Sequence, residues 1–117
     1  IVAAHKRNYH FYNENINNSH VVKMRVDPES ESSCWIYTLL TKDRMGFQKY
    51  LADNGIASDP VHVRNDVYTV FREFRKHDRD LPGSREFCSQ HINIPVGWWL
   101  TEQDREHIVN VVNRYGG

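Results

Sequence analysis

Apolar and aromatic residues recur at helical spacing at both ends of the chain. Near the N-terminus they follow one another mostly at steps of three and four, which places them on one helix face: Ile1, Val2, His5, Tyr9, Tyr12 and Ile16. The asparagine-rich residues from 13 to 19 favour local side-chain hydrogen bonds, so we expect this helix to end near Ile16. At the other end, Thr101–Asp104 has the form of a capping box. A final helix should follow it and bury Ile108, Val111 or Val112, and Tyr115.

After the first helix, two stretches have the pattern of β-strands. Val21–Asp27 alternates between apolar and polar residues, which indicates a half-buried strand. The residues on its apolar side are Val22, Met24 and Val26. Trp35–Thr41 is rich in β-branched and aromatic residues and is apolar on both faces, which indicates an interior strand. Because the residues from 28 to 33 are polar and typical of a turn, we expect the two strands to pair as a hairpin.

A second helix and an extended segment are predicted next. Asp43 can cap a helix that buries Phe47 and Leu51. Asn54–Gly55 supplies the left-handed conformation that ends helices at little cost. Ile56–Val63 is short and apolar but contains a proline, so it is predicted to be an edge strand or an extended loop.

The last third of the chain predicts a helical insert, a short helix and one more strand. The insert has apolar residues at helical spacing among many charges, at Val67, Val70, Phe71 and Phe74. Pro82 and Gly83 then break the chain, and Ser84 can cap a short helix that reaches Cys88. A strand follows through Ile92, Ile94 and Val96. This order of elements predicts an α+β fold, a small antiparallel sheet covered on one face by helices, in a single domain over residues 1–117.

Length and charge narrow the class of protein. The 117 residues suffice for one domain, and 15 basic residues balance 15 acidic ones. The charge therefore indicates neither a nucleic-acid partner nor an anionic membrane. The two cysteines lie far apart in sequence, so we expect a reduced, cytoplasmic protein, with one bridge between them left open. The chain begins at Ile1 inside a helical pattern, as a fragment of a longer protein would.

Several stretches occur in an order and at spacings that resemble a known family. They are Trp35–Leu40, Asp43–Phe47, Leu51–Ile56, Val61–Asp66 and Ile94–Thr101. Together they resemble the C-terminal part of the DegT/DnrJ/EryC1/StrS sugar aminotransferases, and within that family the perosamine-synthase-like group. No single piece is a specific motif. Their joint order, from the first helix to Tyr115, carries the resemblance.

The resemblance implies a fold-type-I enzyme dependent on pyridoxal phosphate (PLP). Such an enzyme moves an amino group from glutamate to a keto-sugar attached to a nucleotide, and two subunits of a homodimer build each active site. A large N-terminal domain holds PLP as a Schiff base to a lysine. The C-terminal small domain closes one side of the site and supports the dimer.

The catalytic lysine of such an enzyme is not expected in this chain. PLP transamination needs a lysine amine and a cradle of donors for the cofactor phosphate. All five lysines stand at positions expected to be solvated, namely Lys6, Lys23, Lys42, Lys49 and Lys76. No glycine cluster precedes a helix, as a phosphate cradle would require. We therefore predict no catalytic residue here, no cofactor bound by this chain alone, and a missing PLP-binding domain as its partner.

The candidate substrate-binding residues lie in the segment after Pro60. His62, Arg64, Asn65 and Asp66 combine groups that can reach a phosphate or a sugar hydroxyl, and arginine forks suit phosphates. The resemblance implies that this segment faces the substrate sugar or the neighbouring subunit. The alternative from the residues alone is a solvated loop in which Asp66 caps a helix.

Trp98 and Trp99 are the candidate interface residues. Adjacent residues of a strand point to opposite faces, so at most one of them should lie in the core. The other is predicted to pack on the missing domain or on the dimer partner, because exposed tryptophan is a common interface anchor. A purely structural role remains the alternative.

Three other functions are alternatives to that of a sugar aminotransferase. A zinc site would draw on Cys88 and His91, with His62 and His77, but structural zinc usually has two close ligand pairs; no metal site is predicted. A hydrolase lacks a nucleophile-elbow pattern. A free-standing binding module without enzymatic activity would use a basic patch of Arg72, Arg75, Lys76 and Arg79, which Glu73, Asp78 and Asp80 interrupt.

Overall fold

In the computed structural model of this protein, four α-helices and three short strands occur in the described residues, 1–77 and 81–117 (without the side chains of residues 75–77). The helices are α1 (Val2–Asn15), α2 (Arg44–Asp53), α3 (Pro82–Gln90) and α4 (Glu102–Arg114). The strands are β1 (Val22–Lys23), β2 (Tyr37–Leu40) and β3 (His91–Ile94). Two 3-10 helices, Asn65–Val67 and Thr69–His77, precede α3. The predicted α+β fold is confirmed.

The three strands form one antiparallel sheet in the order β1-β2-β3. β2 is the central strand, as its continuous apolar pattern predicts, and it pairs with both neighbours. Its register against β3 runs from Tyr37 opposite Ile94 to Leu40 opposite His91. The predicted pairing of the first two strands is confirmed, with Val22 opposite Leu40.

The first strand is much shorter than predicted, and its apolar side is exposed. Val22, Met24 and Val26 all face solvent. The inward position is taken by Lys23, whose Nζ donates to the carbonyl oxygens of Asn13 and Ile16 at 2.8 Å each. These carbonyls lie at the C-terminal end of α1, where helices leave acceptors unpaired and favour a cation. This cap on the end of α1 accounts for the inward position of Lys23 on β1.

The sheet is covered on both faces at β3, whereas the sequence predicted cover on one. Because side chains alternate, Ile92 and Ile94 share the core face with their partners Leu39 and Tyr37. His91 and Asn93 share the second face, and they are buried as well. The second face is closed by α3, whose Phe87 ring stacks on the His91 ring at 4.6 Å, and by the extended chain near Asp59.

The core face packs against α1, α2 and α4 through aromatic contacts. The Tyr37 ring meets the rings of Tyr9 and Tyr12 at 4.8 and 5.1 Å between centroids. At the other end, the Tyr115 ring lies 4.7 Å from that of Phe47. The core residues predicted for these helices are buried as expected, at Tyr9, Tyr12, Ile16, Phe47, Leu51, Ile108, Val111, Val112 and Tyr115. Ile1 and Val2, predicted on the same face of α1, are exposed.

Local signals in the sequence place most helix ends correctly. The Asp43 carboxylate accepts the Gly46 amide at 2.9 Å, and Thr101 and Asp104 form the reciprocal capping box of α4. α3 is the exception, because it begins at Pro82 and not at Ser84. Proline fits the first turn of a helix, where its missing N–H would be unpaired in any case, so it starts this helix.

The asparagines at the end of α1 make long-range bonds in addition to the predicted local ones, such as the bond from the His20 N–H to Asn18 Oδ1 at 2.8 Å. Asn18 Nδ2 donates to the carbonyl oxygens of Val112 and Tyr115 at 2.8 Å each, and so satisfies acceptors at the end of α4. The Asn113 side chain in turn binds the backbone of Asn17 and Asn15. These bonds tie the C-terminal ends of α1 and α4 together.

Gly55 should contribute to stability through its backbone conformation alone. Its φ is +76°, and a Cβ built there has no atom within 4 Å, so only conformational strain opposes a side chain. We expect Gly55→Ala to lower the free energy of unfolding by about 1 kcal/mol, as measured by urea denaturation. Gly116→Ala is the matched control, because that site is equally open and is not in the left-handed region. Equal stability of the two variants would contradict the strain argument.

Candidate functional site

The segment from Ala57 to Asp66 runs along the outer edge of β3 as an extended loop. Of the two predicted alternatives, edge strand or extended loop, the structure has the loop, with a single antiparallel bridge between Asp59 and Asn93. The two residues exchange backbone hydrogen bonds of 3.3 and 3.1 Å. The Asn93 side chain adds a third bond, to the Asp59 carbonyl oxygen at 3.1 Å, and its own oxygen accepts from Thr38 Oγ1 at 2.7 Å. A buried amide thus fixes the start of the loop to the sheet.

His62 is held to the same strand by a second buried side chain. Its backbone N–H donates to Nε2 of His91 at 3.1 Å. The His62 ring lies 5.9 Å from the His91 ring and 6.4 Å from the indole of Trp35, measured between centroids. The side chain remains exposed, and the described part of the chain gives its ring nitrogens no hydrogen-bond partner. The imidazole is therefore available to a ligand.

His91 is a site residue that sequence reasoning missed. It is fully buried, its Nδ1 lies 3.1 Å from the Phe87 carbonyl oxygen, and its ring stacks on Phe87. Burial, which disfavours the imidazolium, lowers its pKa, and the nearby His62 and Arg44 act in the same direction. The available signal was the alternation itself: His91 and Asn93 are polar residues interleaved with Ile92 and Ile94.

Arg64, Asn65 and Asp66 lie where the loop turns into the first 3-10 helix. The Arg64 guanidinium pairs with the Asp66 carboxylate, with Nε 2.9 Å from Oδ1 and a second, close contact from Nη2 to Oδ2. Asp66 lies inside the turn Asn65–Val67, which begins after Arg64, so it does not stand at the N-terminus of this turn.

All three tryptophans are exposed, and two of them, Trp35 and Trp99, lie near Val61 of this segment. Trp35, Trp98 and Trp99 have exposed fractions of 59%, 57% and 61%. β3 ends at Ile94, so Trp98 and Trp99 lie in a turn closed by Leu100 N–H and Gly97 O at 3.2 Å, and neither lies in the core. Their rings are nearly perpendicular, 6.1 Å apart. The prediction that at most one of the two is buried is confirmed. Its premise, that both residues belong to a strand, is wrong.

The turn that carries these tryptophans is fixed by α1. Asn8 is fully buried and donates to the carbonyl oxygens of Val96 and Gly97 at 3.1 and 2.8 Å. Tyr12 donates to the carbonyl of Pro95 at 2.8 Å. The Trp99 ring lies directly over Gly97, where any Cβ would come within 2.1 Å of it. Its exposed position is thus held by packing.

Between the tryptophans lies an open, mainly apolar groove of about 350 Å³. Trp35 and Trp99 line it together with Val61, Asn93 and Pro95. The groove therefore borders both the extended loop and the outer edge of β3. We refer to Trp35, Trp98, Trp99 and this groove as the tryptophan face.

The four lysines whose side chains the structure describes pair with other groups or lie in solvent. Lys6 and Lys49 pair with Glu31 and Asp53, Lys23 caps α1, and Lys42 is exposed in the turn before α2. A Schiff-base lysine must instead present its amine inside a pocket. The described lysine amines and glycines thus do not fit a PLP site. The side chain of Lys76 lies outside the described residues.

The residues considered for zinc use their ligand atoms otherwise. Both nitrogens of His91 take part in hydrogen bonds, and the Cys88 thiol lies 3.6 Å from the carbonyl oxygen of His62. Within the described residues, no three His, Cys, Asp or Glu side chains are arranged to hold a metal ion. His77 lies outside the described side chains. So do Arg75, Lys76, Asp78, Arg79 and Asp80, most of the charged positions considered for a binding module.

Comparison with known proteins assigns this chain to a family. The model of the DegT/DnrJ/EryC1/StrS aminotransferase family matches residues 1–113. The chain belongs to this family. A relative is the dTDP-3-amino-3,6-dideoxy-alpha-D-galactopyranose transaminase of Aneurinibacillus thermoaerophilus, 24% identical over 91% of this chain and 29% of that protein. The resemblance to this family that the sequence predicted is confirmed.

Solved structures share the fold described here. The sugar aminotransferase CalS13 of Micromonospora echinospora superimposes with a TM-score of 0.88 at 33% identity, over 97% of this chain and 30% of that one. AtS13 of Actinomadura melliaura gives 0.87 at 31% identity, over 96% and 30%. The chain thus spans about 30% of the length of these relatives. None of the described helices is both long and apolar enough to cross a membrane.

Proposed function

We propose that this chain is the C-terminal small domain of a PLP-dependent nucleotide-sugar aminotransferase, folded as one domain over residues 1–117. In this proposal the domain closes one side of the active site and supports a homodimer, while the lysine that carries PLP belongs to the rest of the protein. The observation that carries the proposal is the family match over residues 1–113, together with superposition on 30% of a sugar aminotransferase. PLP is the cofactor of the whole enzyme in this family.

The segment His62–Asp66 is the part that we propose to contact the nucleotide-sugar. Its support is that the loop is anchored to β3 at Asp59, just before the segment, and again at His62, and yet keeps the His62 ring exposed. An imidazole nitrogen can donate to or accept from a sugar hydroxyl or a phosphate oxygen. The Arg64–Asp66 pair, which cancels its own charge, favours polar recognition of the sugar over capture of a phosphate by Arg64.

The tryptophan face is the part that we propose to pack on the rest of the enzyme or on the second subunit. Large apolar side chains that are more than half exposed, grouped around a groove, are typical of interfaces. The face borders the His62 segment through Trp35, so a partner that covers it would also enclose the substrate side. The two free cysteines are compatible with a cytoplasmic enzyme, which we propose as its location.

Substitution of His62 tests the substrate role in the full-length enzyme. We expect His62→Ala to raise KM for the keto-sugar nucleotide by about tenfold, because one hydrogen bond of about 1.4 kcal/mol is lost. The KM for glutamate should stay within about twofold, because in this proposal His62 contacts the nucleotide-sugar and not the amino donor. His20→Ala removes another exposed histidine outside the segment and serves as the control. Unchanged KM for the sugar in His62→Ala would contradict the role.

The tryptophan face should make the 117-residue chain associate with itself. We expect its mean mass in light scattering to rise with concentration, because an uncovered apolar face is buried on association. The double variant Trp98→Ser with Trp99→Ser should stay monomeric. Met45→Ser, which removes an even more exposed apolar side chain from α2, should behave like the parent chain. A parent chain that remains monomeric at high concentration would contradict this expectation.

A further inference from the structure

The buried imidazole of His91 stands between the sheet and the candidate substrate segment. Its Nδ1 lies 3.1 Å from the Phe87 carbonyl oxygen, which can only accept, so Nδ1 carries the proton. Its Nε2 lies 3.1 Å from the backbone N–H of His62, which can only donate, so Nε2 keeps its lone pair. Two backbone groups thus select one neutral tautomer of the ring.

The ring has little freedom to move away from this arrangement. It is fully buried and stacks on Phe87 with an interplanar angle of 7°. On β2, its cross-strand partner is Leu40. A side chain held from several sides is a firm point of attachment for a loop, and the loop attached here is the one that carries His62.

We propose that His91 is a positioning residue, which fixes the backbone of the His62–Asp66 segment through its Nε2 atom, and that protonation of this atom releases the segment. The proposal deepens the proposed function, since its consequence for catalysis depends on the contact of this segment with substrate. A protonated Nε2 is a donor, and it would face the N–H of His62 with no acceptor between them. The hydrogen bond that holds the segment would therefore be lost.

The charges around His91 act against protonation until the solution is mildly acidic. The titratable groups that act on it are the His62 ring from the loop and the Arg44 guanidinium from α2, which is itself bonded to the Cys88 carbonyl oxygen at 2.9 Å. Burial is the main cause that lowers the pKa of His91 below its ordinary value of 6.5, and these two groups add to it. Hydrogen bonds with the backbone of Phe87 and Cys88 act in the opposite direction without reversing the shift. The segment is thus held at neutral pH and should be released only as the pH falls through the lowered pKa.

The lowered pKa of His91 also decides how the free energy of unfolding changes with pH. The unfolded chain binds a proton at His91 below its ordinary pKa, while the folded chain resists it. The contribution of His91 to stability is therefore complete above pH 6.5 and declines as the pH falls from there toward the lowered value.

The test follows individual amide protons of the 117-residue chain by NMR while the pH is lowered. Hydrogen exchange of the His62 amide is compared with that of the Asp59 amide, which is bonded to Asn93 and not to His91. The ring nitrogen shifts of His91 report its tautomer and its protonation. We expect a proton on Nδ1 at neutral pH, and an increase of about tenfold in the His62-to-Asp59 exchange ratio when the ring titrates. Protection of the His62 amide that persists after the ring has protonated would overturn the proposal.

Two variants distinguish the effect of the hydrogen bond to His62 from the effect of the volume of the His91 ring. His91→Phe keeps the aromatic stack and removes the acceptor, so the exchange ratio should rise about tenfold at every pH. His91→Gln offers an amide oxygen to the His62 N–H and cannot titrate, so protection should return and lose its dependence on pH. Protection unchanged in His91→Phe would count against the proposal. Should that variant not fold, the titration of the parent chain decides.

Kinetic measurements on the full-length enzyme distinguish a failure of the His91 proposal from a failure of the proposed function. If both hold, His91→Phe raises KM for the keto-sugar nucleotide more than it lowers kcat, and His91→Gln restores KM. In the other case, hydrogen exchange shows that the segment is released while His91→Phe leaves KM for the keto-sugar nucleotide unchanged. That result would contradict the proposed contact between the segment and the substrate, and the positioning role of His91 would stand.

Discussion

The pairing of β2 with β3 is the constraint on which the rest of this structure depends. Their register puts Ile92 and Ile94 beside Leu39 and Tyr37 on the core face. The same register puts His91 and Asn93 on the opposite face, where they meet the extended loop. One short strand therefore supplies both part of the hydrophobic core and the polar anchors of the candidate site. A shift of one residue would exchange these two sets and abolish both.

Burial of polar side chains on β3 gives the loop its shape. An amide or imidazole removed from water has to find partners, and each partner found here belongs to a neighbouring element. Asn93 binds Thr38 and Asp59, while His91 binds Phe87 and His62. The loop has little regular structure of its own, so these bonds decide where His62 lies. This is how a loop without a hydrogen-bonded strand can present a side chain in a defined place.

The parts of the fold that the sequence predicted correctly depend on neighbours in sequence. The caps at Asp43 and Thr101 and the glycine stop at Gly55 act within a few residues, and their patterns were sufficient. The errors concern partners that belong to other elements of the fold. Lys23 turns inward because it caps α1, and Asn18 reaches α4 nearly a hundred residues away. β3 ends before Pro95 because Asn8 and Tyr12 of α1 take the carbonyl oxygens that follow.

The candidate site also has residues that could be predicted from the sequence and contacts that could not. His62, Arg64, Asn65 and Asp66 could be named from their types and from the family resemblance, but the mutual pairing of Arg64 with Asp66 could not. His91 could not be recognised as their anchor, because a histidine inside a strand pattern gives no indication of a bond to residue 62. Periodicity places such a residue on the face opposite the core, and shows neither that this face is covered nor what the residue binds.

The central claim is that this domain presents the His62–Asp66 segment to a nucleotide-sugar bound by the rest of an aminotransferase. The most direct test is a crystal structure of the full-length enzyme with PLP and a nucleotide-sugar ligand. The account predicts a His62 ring nitrogen within about 3.2 Å of a ligand oxygen. It also predicts that protein covers the tryptophan face. A ligand bound far from this segment, with the segment in open solvent, would contradict the account.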